Sequence, residues 1–354
     1  MERKKLPYGI PNFRSISEEG YIFIDKTPFV EKLENLGEKY IIFLRPRRFG
    51  KSLFVSMLEH YYDIGYSGNF ERLFGDFHIG RQPTPLRNSY LVLLFDFSGI
   101  NTETKETTFK GFLDNVKSGL RRFVGNHADL LSEADWSGAL EAESPEIAMR
   151  NFLDIVNQRT DKRIYLLIDE YDHFANELLA FQFDMFKELI SRVGFVRKFY
   201  EVLKTGTRDG VIDKMFITGV TPITLDSLTS GFNIGKNLSL DEEFHDMLGF
   251  TEDETSSLIE IICSHCNTDL DEIYKQMSDC YNGHRFCEDN HSGGKLFNPN
   301  MVLHYLRDYQ RYCRPPNRLI DPNIASDYRK IGDLFRLFEM VEGREIINEL
   351  MEQD

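Results

Sequence analysis

The chain is predicted to be an α/β protein with a P-loop NTPase-type parallel sheet flanked by helices, and three observations carry that prediction. The runs "KYIIFLRP" (39–46), "SYLVLLFDFSG" (89–99) and "RIYLLIDEYDHF" (163–174) are continuously apolar rather than alternating, as strands buried on both faces are. Stretches with apolar residues at helical spacing separate them. The first run leads into Gly50-Lys51-Ser52, which opens a further apolar helix.

The elements follow in order. After the strand at 39–46 comes a helix over 52–63, whose broad apolar face must pack on something. The strand at 89–99 precedes a polar helical stretch from about 107 to 124. Ser144-Pro145 is a helix start, and apolar spacing carries that helix to 160. The strand at 163–174 ends in acids. A long helix is predicted over 184–204, broken by the two glycines of "TGTRDG" (205–210). Strands follow at 214–224 ("KMFITGVTPIT") and, briefly, at 235–240 ("GKNLSL"). From Leu248 onward the character is helical: Thr251-x-x-Glu254 forms a capping box, and further helices are expected at 269–280, 299–312 and 331–353. The expected organisation is a nucleotide-binding domain over 1–248 and a mostly helical lid over 249–354.

Composition narrows the class. A hydrophobic content of 41% and a charged content of 28% are those of a globular protein. The longest apolar runs are too short to span a membrane, so no membrane partner is expected. "MERKKLPYGI" has no apolar stretch behind it and is not read as a signal peptide. Five cysteines, an odd number, fit a reducing cytoplasm better than a disulfide framework. A net charge of −15 argues against a surface given over to nucleic-acid backbone. The densest basic cluster, Arg45, Arg47 and Arg48, sits beside the glycine-lysine-serine turn, where its charge serves phosphate locally.

Gly-Lys-Ser alone is weak, since composition yields Gly-Lys followed by Ser or Thr about 0.2 times in a chain of this size. Its context between strand and helix is stronger, because a helix N-terminus presents unpaired N–H groups to phosphate oxygens. ATP with Mg²⁺ would bind at Gly50, Lys51, Ser52 and Leu53, beside Arg47, Arg48 and Phe49. Gly50 permits close backbone approach, Lys51 reaches the β- and γ-phosphates, and Ser52 ligates Mg²⁺. The usual loop has a glycine where this one has Arg45.

"IYLLIDE" (164–170) has the form of the metal-binding strand of such proteins. There Asp169 would hold the Mg²⁺ shell and Glu170 would polarise the attacking water. Thr218, at the end of "MFITGV", is either a contact to water or γ-phosphate or an ordinary strand-end threonine. A strand lying between the loop strand and the acidic strand would mark the ATPase branch with a catalytic glutamate, but strand order is not written in the sequence.

The segments "LPYGIPNFRSI", "YIFIDKTPFVEKL", "FLRPRRFGKSLFVSMLEHYY", "IYLLIDEYDH", "FITGVTPIT", "LGFTEDE" and "CYNGHRF" resemble, in order, the bacterial AAA-ATPase-like family. The resemblance implies a Mg-dependent ATPase, with "RPRRFGKS" as that family's usual loop. Members typically continue into a PD-(D/E)XK nuclease-like domain, and 290–354 shows no such acid-lysine pattern. The sequence is thus either a shortened piece or a member with the ATPase part alone, and nuclease activity is not carried over. Nucleic acid as a partner rests on that resemblance only. A homo-oligomer or protein partner, and a nucleotide-gated switch with little turnover, are the other readings.

Four smaller candidates complete the reading. Asp25-Lys26-Thr27 either flanks the adenine base or caps a helix. Arg208 is an arginine finger or a solvated turn residue, and Arg285 reaches the phosphates from the lid or does not. Cys263-x-x-Cys266 with Cys280, Cys287 and His291 has a regular first zinc knuckle and an irregular second, but Cys263 falls within the apolar helix 257–263 and is read as core.

Overall fold

The structure, a computed structural model, describes residues 4–130, 133–182, 185–186, 188, 194–222, 234–287 and 294–321. The chain opens with helices α1 (Phe13–Glu18) and α2 (Pro28–Asn35), strand β1 (Tyr40–Leu44) and helix α3 (Lys51–Tyr62). Next come α4 (Phe70–Phe74), α5 (His78–Arg81), β2 (Leu91–Asp96), α6 (Lys105–Asn126), α7 (Glu133–Leu140) and α8 (Pro145–Arg159). Then follow β3 (Ile164–Asp169), α9 (His173–Phe181), α10 (Phe195–Arg208), β4 (Ile212–Gly219) and β5 (Lys236–Asn237). The last described elements are α11 (Glu252–Cys263), α12 (Leu270–Tyr281), β6 (Asn282–His284), β7 (Leu296–Phe297) and α13 (Pro299–Tyr312). No helix among the described residues is long and apolar enough to cross a membrane.

Two compact units result. Among the described residues, the sheet unit contains 39–44 and 89–236, and the other contains the N-terminal residues to 38, residues 45–88 and residues 237–321.

In the sheet unit the strand order is β2-β3-β4-β1, with the two-residue β5 at the edge beyond β1. β1 with β4, β4 with β3, and β3 with β2 all pair in parallel. All six residues of β3 are buried, which is why that run is apolar throughout instead of alternating. Phe97 stacks on Phe112 at 4.6 Å, and Phe199 meets both rings edge-on, so an aromatic cluster fastens α6 and α10 beside β2. Trp136 on α7 is buried against Phe123 and Phe152.

One helix differs from its sequence-based prediction. Residues 184–193 lie largely outside the described set, and the helix expected over 184–204 is seen from Phe195 and continues to Arg208. Gly206 does not break it. A Cβ there would stand 2.8 Å from Leu153 and 2.9 Å from Ile212, so the glycine lets α10 lie close on α8 and β4. Only Gly210, at φ +74°, belongs to the turn.

The other unit joins both ends of the described chain. Leu258, Ile262, Met277, Tyr281, Val302 and Tyr305 form a core against which Leu6, Ile22 and Ile24 pack. The capping box at Thr251 and Glu254 is formed as expected. Lys26, 7% exposed, donates to Asp246 O at 2.9 Å and to both carboxylate oxygens of Glu254 at 2.6 and 2.8 Å. These bonds engage its three N–H donors. Asp25 accepts from Thr27 N and Thr27 Oγ1 with one oxygen and from His78 N with the other. Thr27 Oγ1 in turn accepts from Ile79 N. The Asp-Lys-Thr segment is therefore an internal latch; Thr27 occupies the N-cap of α2 without a side-chain cap bond. The odd cysteine count predicted no disulfide framework, yet one bond joins Cys266 to Cys313.

Candidate functional site

β1 ends at Leu44 and the chain runs through residues 45–50 into α3. Gly50 has φ +92°, a left-handed conformation that strains any residue with a Cβ, and nothing lies within 4 Å of where that Cβ would be. No side chain caps the first turn of α3 and no acid stands in it. This 12-residue helix thus presents its positive end with a lysine and a serine in the first turn. Lys51 is 4% exposed, and its Nζ donates to Pro46 O at 3.3 Å, folding the side chain over its own loop. Ser52 and Leu53 are half-buried on the same turn.

The three arginines divide. Arg48 is exposed with φ +68°, and Arg47 is half-buried. Arg45 is 1% exposed: its guanidinium donates to Ser239 O at 2.6 Å, Phe244 O at 3.2 Å and His245 O at 3.1 Å. It also lies 4.2 Å over the ring of Phe286. Burial pulls the guanidinium's pKa down to about 9, which leaves it charged at neutral pH. The side chain at the missing-glycine position is therefore a clamp on three carbonyls. Phe49, 1% exposed, is held likewise, edge-on to His284 at 4.8 Å and Phe286 at 5.4 Å. Burial lowers the pKa of His284 and favours its neutral ring. Arg285, exposed, is the residue between His284 and Phe286 in sequence.

The acidic residues belong to the sheet unit. Asp169, 6% exposed, ends β3, and its Oδ1 accepts from Glu170 N at 3.0 Å. Glu170 is half-buried and left-handed at φ +53°. A non-glycine residue there costs roughly 1–2 kcal/mol and is held only by its surroundings. The holding group is Asp172, which the sequence reading passed over. Fully buried, Asp172 accepts from Thr221 N at 2.6 Å, Val220 N at 3.0 Å, Asn176 Nδ2 at 2.7 Å and Thr221 Oγ1 at 3.1 Å. Tyr171 N donates to Thr218 O at 3.1 Å, so the turn carrying Glu170 is sewn to the end of β4. The signal was present as an aspartate just before a helix, Asp172 being the N-cap of α9.

Thr218 is 1% exposed and its Oγ1 donates to Phe43 O at 2.8 Å, tying β4 to β1. With that hydrogen engaged, the hydroxyl can accept a hydrogen bond but not give one to phosphate. Pairing sets Phe43 opposite Thr218 and Ile168 opposite Ile217, so Asp169 stands at the carboxyl edge of the sheet where β1 also ends. β4 lies between β1 and β3.

Two other candidates are placed elsewhere. Arg208 ends α10, exposed, and pairs with Asp209 at 2.9 Å. Cys263 is buried in α11, as its place in an apolar helix implied, and burial pushes its thiol up to about 12, so it serves as core and is a poor zinc ligand. His291 lies outside the described residues.

Residues 7–229 match the family model described as predicted AAA-ATPase. The chain belongs to the AAA-ATPase-like family. The matched span of this AAA-ATPase-like chain includes the loop, both acids and Thr218, but not the residues from 239 onward that clamp Arg45. The chain is 28% identical over 318 residues to an uncharacterized protein in the vnfD 5′ region of Azotobacter chroococcum mcd 1. That alignment covers 88% of this chain and 54% of the relative, so the chain spans about half the length of the curated protein it matches. Among solved structures, the Walker-type ATPase PABY2304 of Pyrococcus abyssi aligns over 99% of this chain and 78% of its own at 15% identity. Its TM-score of 0.41 is too low to carry an argument.

Proposed function

We propose that this AAA-ATPase-like chain binds Mg-ATP and hydrolyses it with Glu170 as the water-orienting base. The observation that carries the reading is the strand order: β4 separates the loop strand β1 from β3, whose last residue and its successor are Asp169 and Glu170. That arrangement is the one expected of ATPases with a catalytic glutamate.

The residues present suit the nucleotide. An uncapped helix end without acids, a left-handed Gly50 beside open space and a first-turn lysine favour phosphate oxygens. Ser52 and Asp169 offer the hard oxygen donors that Mg²⁺ takes. When bound, Mg²⁺ neutralises charge on the β- and γ-phosphates. In this reading Lys51 exchanges its bond to Pro46 O for phosphate, and Arg47 and Arg48 add positive charge. Glu170, preset in its left-handed turn, accepts the proton of the attacking water. Thr218 acts as a strand tie that fixes the level of the edge. The helical part from 249 is assigned a lid's role, with Arg285 near the aromatic contacts that hold Phe49.

Phosphate release at saturating ATP tests the proposal. Several phosphates per chain are expected with Mg²⁺, and release should stop when EDTA removes the metal. Fewer than one phosphate per chain would overturn hydrolysis and leave a nucleotide-gated binding protein.

A further inference from the structure

A group unconnected with the nucleotide chemistry lies at the ends of α11 and α13. Cys266, just after α11, and Cys313, the C-cap of α13, are 47 residues apart in sequence and joined in a disulfide, with Cα atoms 5.5 Å apart. The Nε2 of His265 stands 3.6 Å from Cys266 Sγ and 3.8 Å from Cys313 Sγ. Ligand atoms of all three residues fall within 4.8 Å of one another.

We propose that the reduced form of this pair, with His265, is a binding site for a soft divalent cation such as Zn²⁺, and that metal and disulfide are alternative occupants of the same two sulfurs. Tetrahedral zinc with sulfur at about 2.3 Å and nitrogen at about 2.0 Å has a nitrogen–sulfur edge of about 3.5 Å and a sulfur–sulfur edge of about 3.8 Å. The imidazole already stands within about 0.3 Å of that edge from both sulfurs, so the main movement required is separation of the sulfurs. His265 and Cys313 are exposed, leaving the fourth position to water, while Cys266 is 8% exposed and anchored by its N–H to Cys263 O at 2.8 Å.

Cys313 is left-handed, at φ 49° and ψ 39°, in the helix-ending position that glycine or asparagine usually fills.

The chemistry balances with a thiol as reductant. Two equivalents of R–SH cleave the sulfur–sulfur bond by exchange: each cysteine gains one electron and one proton, and the reductant leaves as R–S–S–R. Metal binding then displaces the two thiol protons to solvent.

The test uses the full chain, reduced with a phosphine, freed of phosphine and titrated with Co²⁺ and then Zn²⁺. The reduced protein should take up about one Co²⁺ with thiolate-to-metal charge-transfer absorption, which Zn²⁺ then displaces. The oxidised protein should show none. Cys313→Ser should abolish the band and His265→Ala should weaken binding at least tenfold, whereas Cys280→Ser should leave both unchanged. Mass mapping of alkylated thiols in the unmutated protein guards against misfolded variants: Zn²⁺ should protect Cys266 and Cys313 from alkylation and not Cys280. Absence of the band in the reduced chain, its loss in Cys280→Ser instead of Cys313→Ser, or no protection at Cys266 and Cys313 would overturn the proposal.

Discussion

Lys51→Ala is expected to lower kcat/KM for ATP by roughly 10²- to 10³-fold, the usual cost of removing one preorganised electrostatic donor. Lys51 lies in the first turn of α3, 4% exposed, so its ammonium is held beside the uncapped helix end instead of roaming in solvent. Removing it leaves phosphate to the backbone amides and to the charge of Arg47 and Arg48. Titration with a fluorescent ATP analogue and a turnover assay read the two parts of the loss. Because Lys51 Nζ donates to Pro46 O within its own loop, circular dichroism should remain close to wild type. Unchanged turnover would remove the loop from the mechanism.

The second large effect is on stability. Arg45→Leu should destabilise the chain by about 3 kcal/mol, because three carbonyls buried with the guanidinium lose their donor at once. Arg45→Lys should recover only part of it, since an ammonium lacks the planar fork that reaches Ser239 O and the carbonyls of Phe244 and His245 together. Chemical denaturation of both variants measures the difference. Arg45→Leu equal in stability to wild type would mean that the clamp is an incidental contact.

The comparison of these two residues shows what the sequence made legible. Lys51 was readable because its role depends on local order: an apolar strand, a glycine and a helix start are all printed in one stretch. The buried strands were readable for the same reason, as continuous apolar character follows directly from cover on both faces. Arg45 was not readable, because its partners lie about 200 residues downstream. The sequence offered it as a missing glycine with spare charge for phosphate, and packing against Phe286 makes it a structural cation. Gly206 misled for a related reason. A glycine in a helix reads as a breaker locally, and only the closeness of Leu153 and Ile212 reveals it as a contact point. The Cys266–Cys313 pairing joins residues 47 apart, and a count of cysteines holds no information about such a distance.

Glu170 sits between these cases. Its identity as an acid after a buried strand was plain, whereas its left-handed turn, held by Asp172 and the end of β4, depends on tertiary contacts. The central claim is that this turn presets a base for hydrolysis, and Glu170→Gln tests it most directly. Bound ATP and released phosphate should be measured together in the variant and the wild type. The predicted result is ATP retained at wild-type affinity with phosphate release lowered by roughly 10²-fold or more; release at the wild-type rate would contradict the account.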